Sequence, residues 1–142
     1  MSPGADSGLT VGLQATVTAE VGEDDTALAL GSGDLPVLGT PRLLALAEAA
    51  CVAAVAPQLP AGQTTVGAAV SLEHRKPSPL GTPIEVRAEL VEVTGRKLFF
   101  GFIAYGPGTD DEAVIGAGTV QRVLVDAEQF LRRAGAGPAG AA

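Results

Sequence analysis

The sequence predicts an α+β fold in which a curved antiparallel sheet wraps around one long central helix. Three observations carry this. The segment Pro41–Ala56 is the one long helical stretch, and it is apolar on almost every side; a helix without a polar face has to be enclosed. Five long further segments, apart from a short one at Thr26–Leu30, read as strands, and the first three of the five alternate apolar and polar residues with the period of two that marks a half-buried strand. The strands after the helix are joined mostly by tight Gly- and Pro-containing turns, which connect antiparallel neighbours. A sheet curled around one helix is the arrangement that buries every apolar face.

The elements follow in order. Residues 1–9 are polar and turn-forming and are expected as a flexible tail, with a single domain over 10–133. Val11–Val21 places Val11, Leu13, Ala15, Val17, Ala19 and Val21 on one face of a strand. Glu23-Asp24-Asp25 is a turn, Thr26–Leu30 a short strand, and Gly31–Asp34 a flexible loop. Thr40-Pro41 starts the helix: Thr is a good N-cap, and Pro suits the first helical position, where its missing N–H would be unpaired anyway. Pro57 stops it. Thr64–His74 is a strand with Val66, Ala68, Val70, Leu72 and His74 on one face. Thr82–Val93 turns Ile84, Val86, Ala88 and Leu90 inward, Thr94-Gly95-Arg96 makes a hairpin turn, and Lys97–Tyr105 and Ala113–Val125 complete the sheet. Asp126 caps a short helix ending at Arg133, and the Gly/Ala/Pro-rich 134–142 is expected as a second flexible tail.

Composition narrows the function. A chain of 142 residues is one domain, long enough to build a core without staples. With 46% apolar and 18% charged residues it is not a wholly disordered chain. Nine basic against sixteen acidic residues leave a net charge of −7, with no basic footprint for nucleic acid and no polybasic patch for a membrane. A single cysteine, Cys51, excludes an intramolecular disulfide, and one His with one Cys cannot build a Cys/His zinc site. The N-terminus lacks the charged and apolar regions of a signal peptide. The apolar stretch Leu43–Ala56 is short for a bilayer and contains Glu48, so the expected setting is the cytoplasm.

This arrangement is the hot-dog fold, which thioesterases, dehydratases and acyl-binding regulators share, so function has to be argued from side chains. One sheet around one helix leaves an open edge, and a homodimer is expected to close it. Glu48 is the most informative residue, because a carboxylate amid an apolar helix needs a partner; it is either a site residue or a Glu reaching water or a backbone N–H. His74 is the one histidine, on the apolar face of its strand, where it either exchanges protons or bonds a carbonyl or solvent. N-capping alone explains Thr40, yet a hydroxyl there also sits where a developing oxyanion is favoured. Cys51 in apolar surroundings reads as a small core residue, not a nucleophile. Gly67 inside a strand marks either close backbone approach or a bulge.

The set Gly39-Thr40, Leu46-Ala47-Glu48-Ala49-Ala50-Cys51-Val52, Ala56-Pro57, Val66-Gly67, His74, Ala88-Glu89-Leu90, Gly95-Arg96, Gly116-Ala117-Gly118-Thr119 and Arg122 resembles the fluoroacetyl-CoA thioesterase-like branch of the hot-dog superfamily, over roughly residues 11–133. Its most specific part is the trio Thr40, Glu48 and His74. The resemblance implies hydrolysis of an acyl-CoA thioester without metal or separate cofactor. It implies catalytic roles for Thr40, Glu48 and His74, and places Gly39, Gly67 and Arg122 on the substrate side. The chain departs from that branch in Thr26–Gly39, which is shorter and Gly-rich and has no aromatic residue, whereas the fluoroacetyl-specific enzyme gates its pocket with aromatics. The alternative function is a non-catalytic binder of acyl-CoA or a small ligand. A hot-dog dehydratase, which needs a His and an Asp or Asn at the helix start, is disfavoured by Thr40-Pro41.

Overall fold

Five strands form one antiparallel sheet in the computed structural model, which describes residues 8–108 and 110–135. They are β1 (Gln14–Glu20), β2 (Gln63–His74), β3 (Pro83–Thr94), β4 (Lys97–Tyr105) and β5 (Val114–Asp126), in the spatial order β1-β3-β4-β5-β2. The β3–β4 hairpin turns at Gly95, whose φ of +61° is a left-handed conformation that favours glycine. The helices are α1 (Ala27–Leu30), α2 (Thr40–Val55) and α3 (Ala127–Arg133), the last capped by Asp126, whose carboxylate accepts from the Gln129 amide. Ile84, Val86, Ala88 and Leu90 are buried, as their alternation requires, and pack with Leu98, Phe100 and Phe102 against α2. The tails expected at the ends fall at residues 1–7 and 136–142 outside the described residues; Leu9, at the edge of the first, is buried in the core.

Several expectations are corrected. Thr26–Leu30 is not a strand. Thr26 caps α1 by accepting from the Ala29 amide, and Gly31 closes it at φ +72°; Ala and Leu are helix formers and carry no β-branch. The first strand begins at Gln14, because Val11 and Gly12 form a turn. The central helix is not enclosed on all sides. It lies mainly across β1 and β3, which bury Leu43, Leu46, Ala47, Ala50, Cys51, Ala54 and Val55. A stripe of Pro41, Ala45, Ala49, Val52 and Ala53 stays uncovered. With its final turn, Thr40–Gln58 is long and apolar enough to cross a bilayer by length and composition, but it carries Arg42 and Glu48 and packs its apolar side on the sheet as a core helix.

The parity of β2 also differs. Its register on β5 shifts between Gly67 and Ala69, so Ala68 is an extra residue. Such a bulge exchanges the two faces of a strand. Thr65 and Gly67 face α2 before it, and Leu72 and His74 after it; Val66 does not share their face.

Candidate functional site

The two halves of the expected trio sit at different heights along α2. At its start Gly39, not Thr40, is the N-cap, and its carbonyl accepts from the amides of Arg42 and Leu43 at 3.0 and 3.1 Å. Thr40 is therefore the first helical residue, and its hydroxyl caps nothing. It lies instead 2.9 Å from Nδ1 of His74. A second tie fixes this end of the helix: Asp25 accepts from the Arg42 Nε at 2.8 Å, and its carbonyl accepts from the Gly39 amide at 2.8 Å. His74 ends β2 opposite Gly116, where a Cβ would approach the Glu73 carbonyl to 2.7 Å; glycine there lets β5 come close. Thr40, His74 and Lys76 line a cavity of about 260 Å³ with Val37 and Ser32.

Burial holds the imidazole below its ordinary range, opposed in part by the Lys76 backbone. His74 Nε2 is the one buried side-chain polar atom among the described residues without a hydrogen bond. In the neutral ring with the proton on Nε2, the Thr40 hydroxyl donates to Nδ1, which is the geometry of a base beside its nucleophile. The unfolded state takes up this proton first as pH falls. The stability carried by the neutral ring is therefore full above the ordinary His value of 6.5 and is lost as pH falls from there through the lower folded value. An NMR titration of the His74 ring is expected to show a midpoint below 6.5, with the acid limb of kcat/KM below 6.5 as well; a midpoint above 6.5 would contradict it.

Glu48 lies eight residues further on, about 12 Å along the helix axis. Its Oε2 accepts from Arg122 Nη1 at 2.6 Å. Arg122 is buried, and one residue grips its other two nitrogens: Nε donates to the Thr65 hydroxyl and Nη2 to the Thr65 carbonyl, both at 2.8 Å. Each of the three guanidinium nitrogens makes a hydrogen bond within the protein, so Arg122 is held in place and aims the carboxylate. The carboxylate lies against Gly67, where a Cβ would be 2.3 Å from Oε2. Glu48, Leu44, Gly67 and Val70 line a second cavity of about 300 Å³. Cys51 is fully buried beside this pair. Its thiol is pushed up to about 12, by burial first and by Glu48, against the opposing charge of Arg122.

Within one subunit, then, Thr40 meets His74, and Glu48 meets Gly67 and Arg122, but the three expected catalytic residues do not converge. Thr65 was not singled out from the sequence. Its position two residues before Gly67 on the same strand is the signal that could have marked it.

Residues 21–128 match the family described as FlK, fluoroacetyl-CoA-specific thioesterase. The chain belongs to this family. A fluoroacetyl-CoA thioesterase of Streptantibioticus cattleyicolor is 37% identical over 94 residues, which span 66% of this chain and 65% of that protein. A solved structure of the fluoroacetyl-CoA thioesterase FlK superposes with a TM-score of 0.79 at 32% identity, covering 89% of this chain and 96% of that one. A hot-dog-like protein from Thermanaerovibrio acidaminovorans, 20% identical with a TM-score of 0.78, covers 89% of this chain and 90% of its own and shares the fold. The FlK-family chain thus has the hot-dog architecture, with the trio's residues carried by α2 and β2.

Proposed function

We propose that this chain hydrolyses acyl-CoA thioesters as a homodimer whose active sites form across the subunit boundary. Its membership of the FlK family supports thioester hydrolysis. The observation that carries the mechanism is the Thr40 hydroxyl, released from capping and 2.9 Å from the imidazole of half-buried His74. Nδ1 of His74 takes the hydroxyl proton as Thr40 Oγ1 attacks the thioester carbonyl. The C–S bond breaks, and the thiolate leaves with the proton returned from the imidazole. Glu48 then takes a proton from a water that attacks the acyl-threonine; the acid leaves and the proton returns to Thr40. The sum is thioester plus water giving acid plus thiol, and no metal or separate cofactor takes part. The cytoplasm suits a chain whose lone cysteine is free.

The dimer supplies what one subunit separates. β2 is an edge strand with Val70 exposed at its middle, beside the uncovered stripe of α2. With the extra residue Ala68 left out of the pairing, an antiparallel pair of β2 strands centred on Val70 sets Leu72 of one subunit opposite Gly67 of the other and His74 opposite Thr65, all on the α2 face and two residues from the Gly67 that holds the other subunit's carboxylate. Sedimentation is expected to give a dimer at micromolar concentration. Val70→Arg, which brings like charges together at the axis, is expected to give a monomer with kcat/KM lowered at least about a hundredfold. A Val70→Arg monomer of wild-type activity would sink this arrangement.

The function is tested by thiol release over a panel of acyl-CoAs. Leu28, Leu30 and Leu35 of the Thr26–Gly39 segment are exposed, and no aromatic gate closes the pocket. An apolar pocket rejects near-isosteres poorly. Fluoroacetyl-CoA and acetyl-CoA are therefore expected within about tenfold of each other in kcat/KM, with a larger acyl group preferred to both. A fluoroacetyl preference of several orders of magnitude would place selectivity at the pocket floor instead.

A further inference from the structure

The chain's nine cationic side chains are distributed unevenly. Arg42, Arg75, Arg87 and Arg122 each pair with a carboxylate, and Lys76 donates to the Glu112 carbonyl. The other four, Arg96, Lys97, Arg132 and Arg133, have no carboxylate partner among the described residues, and all four lie on the β3–β4 turn or the last turn of α3. A groove of about 230 Å³ runs between these elements, lined by Arg96, Val123, Val125, Gln129, Phe130 and Arg133. Arg96 is held over its floor by donating to the Leu124 carbonyl at 3.1 Å, and Phe130 is exposed at its wall. Two anions face the groove or flank it: Asp126, whose carboxylate is engaged by the Gln129 amide, and Glu128 on α3. The four cations outnumber them.

We propose that this groove binds the 3′-phosphorylated ADP end of the CoA thioester, an inference that takes its ligand from the thioesterase reading. Guanidinium forks match phosphate oxygens, and an exposed phenyl face accepts a purine. On a chain of net charge −7, a polyanionic ligand is repelled almost everywhere, so an uncompensated cationic cluster decides where it lands. The floor of the groove is the end of β5. The pair Gln63↔Asp126 there is four ladder positions from Gly67↔Arg122, about 13 Å along the strand; because Val123 and Val125 project on the face away from Arg122, the pantetheine arm would reach the site by passing round this end of the strand pair. A small concave groove suits a nucleotide better than the helix of an acidic carrier protein, which needs a broader surface.

The test uses adenosine 3′,5′-bisphosphate in calorimetric titrations, a readout that needs no hydrolysis. The wild type is expected to bind it, and Arg96→Gln/Arg133→Gln to weaken binding about tenfold, with Phe130→Ala also weaker and Arg87→Gln, in the middle of β3 and outside the groove, unchanged. In the same double variant the ratio of kcat/KM for an acyl-CoA over the matching N-acetylcysteamine thioester, which lacks the nucleotide, is expected to fall about tenfold, mainly through KM. Bisphosphate binding equal in wild type and double variant would overturn the inference even if acyl-CoA is hydrolysed. Loss of turnover on an acyl-carrier protein with bisphosphate binding intact would assign the groove to that protein instead. If bisphosphate binding follows the arginines while no thioester is cleaved, the groove stands and the hydrolytic reading fails.

Discussion

Mixing two inactive variants, Glu48→Gln and His74→Asn, is expected to restore about a quarter of the wild-type activity. Each alone loses a group that must move a proton and should fall roughly 10²–10⁴-fold in kcat/KM. In one subunit Thr40 and His74 form one pair and Glu48 and Arg122 another, some two helical turns apart. If a working site takes His74 from one subunit and Glu48 from its partner, a mixed dimer holds one site with both groups intact and one with neither. About half of randomly mixed dimers are mixed, and half of their sites work. Glu48→Gln keeps an oxygen for the Arg122 donor, so the buried guanidinium is not stranded and the subunits still fold. Glu48→Ala, which strands it, should add a stability loss of about 1–3 kcal/mol, less than for a fully buried pair because Glu48 is one-third exposed. Activity in the mixture no higher than in either variant would mean that each site is built within one subunit.

Two glycines, one facing the Glu48 side chain and one facing the β2 backbone, are expected to fail in opposite ways. At Gly67 an added methyl would stand 2.3 Å from the Glu48 carboxylate oxygen, the far end of a flexible side chain. The carboxylate can swing away, so Gly67→Ala should cost only about 1–2 kcal/mol in stability. The displaced oxygen no longer meets Arg122, and kcat should fall at least about a hundredfold. At Gly118 the methyl would stand 1.9 Å from the Ser71 carbonyl, which is backbone of the paired strand. Nothing there can move without parting β2 from β5, so Gly118→Ala should lose about 3 kcal/mol or more and lower the dimer content with it. Chemical denaturation beside steady-state kinetics separates the two. A Gly67→Ala protein with wild-type kcat would remove the carboxylate from the reaction.

The strands of the core were legible in the sequence because Ile84, Val86, Ala88 and Leu90 obey the period of two without interruption. The helix was legible because Thr40-Pro41 and Pro57 bound it. What was hidden shares one cause: each feature depends on a contact distant in sequence. The alternation through Val66, Ala68 and Val70 reads as one face, and only the ladder with β5 shows that Ala68 is an extra residue. Thr-Pro announces an N-cap so strongly that the use of the Thr40 hydroxyl by His74 cannot be seen without the strand that delivers the ring. The uncovered side of α2 was legible as apolar, but not that its own sheet leaves it bare. Glu48 was recognisable as needing a partner, whereas the Arg122–Thr65 grip that holds it links residues far apart in the chain.

The burial of Cys51 has a practical side. The proposed hydrolysis is followed by counting the thiols it sets free, and the protein itself contributes one sulfhydryl per chain to such a count. That sulfhydryl has no exposed surface and is pushed up to about 12, so at neutral pH almost none of it is the thiolate that disulfide reagents capture. Folded enzyme is thus silent in the assay, and no blank proportional to its concentration is needed. Unfolded enzyme is not silent. A slow signal rising to one equivalent per chain, in the absence of any substrate, reports the fraction of protein that has opened.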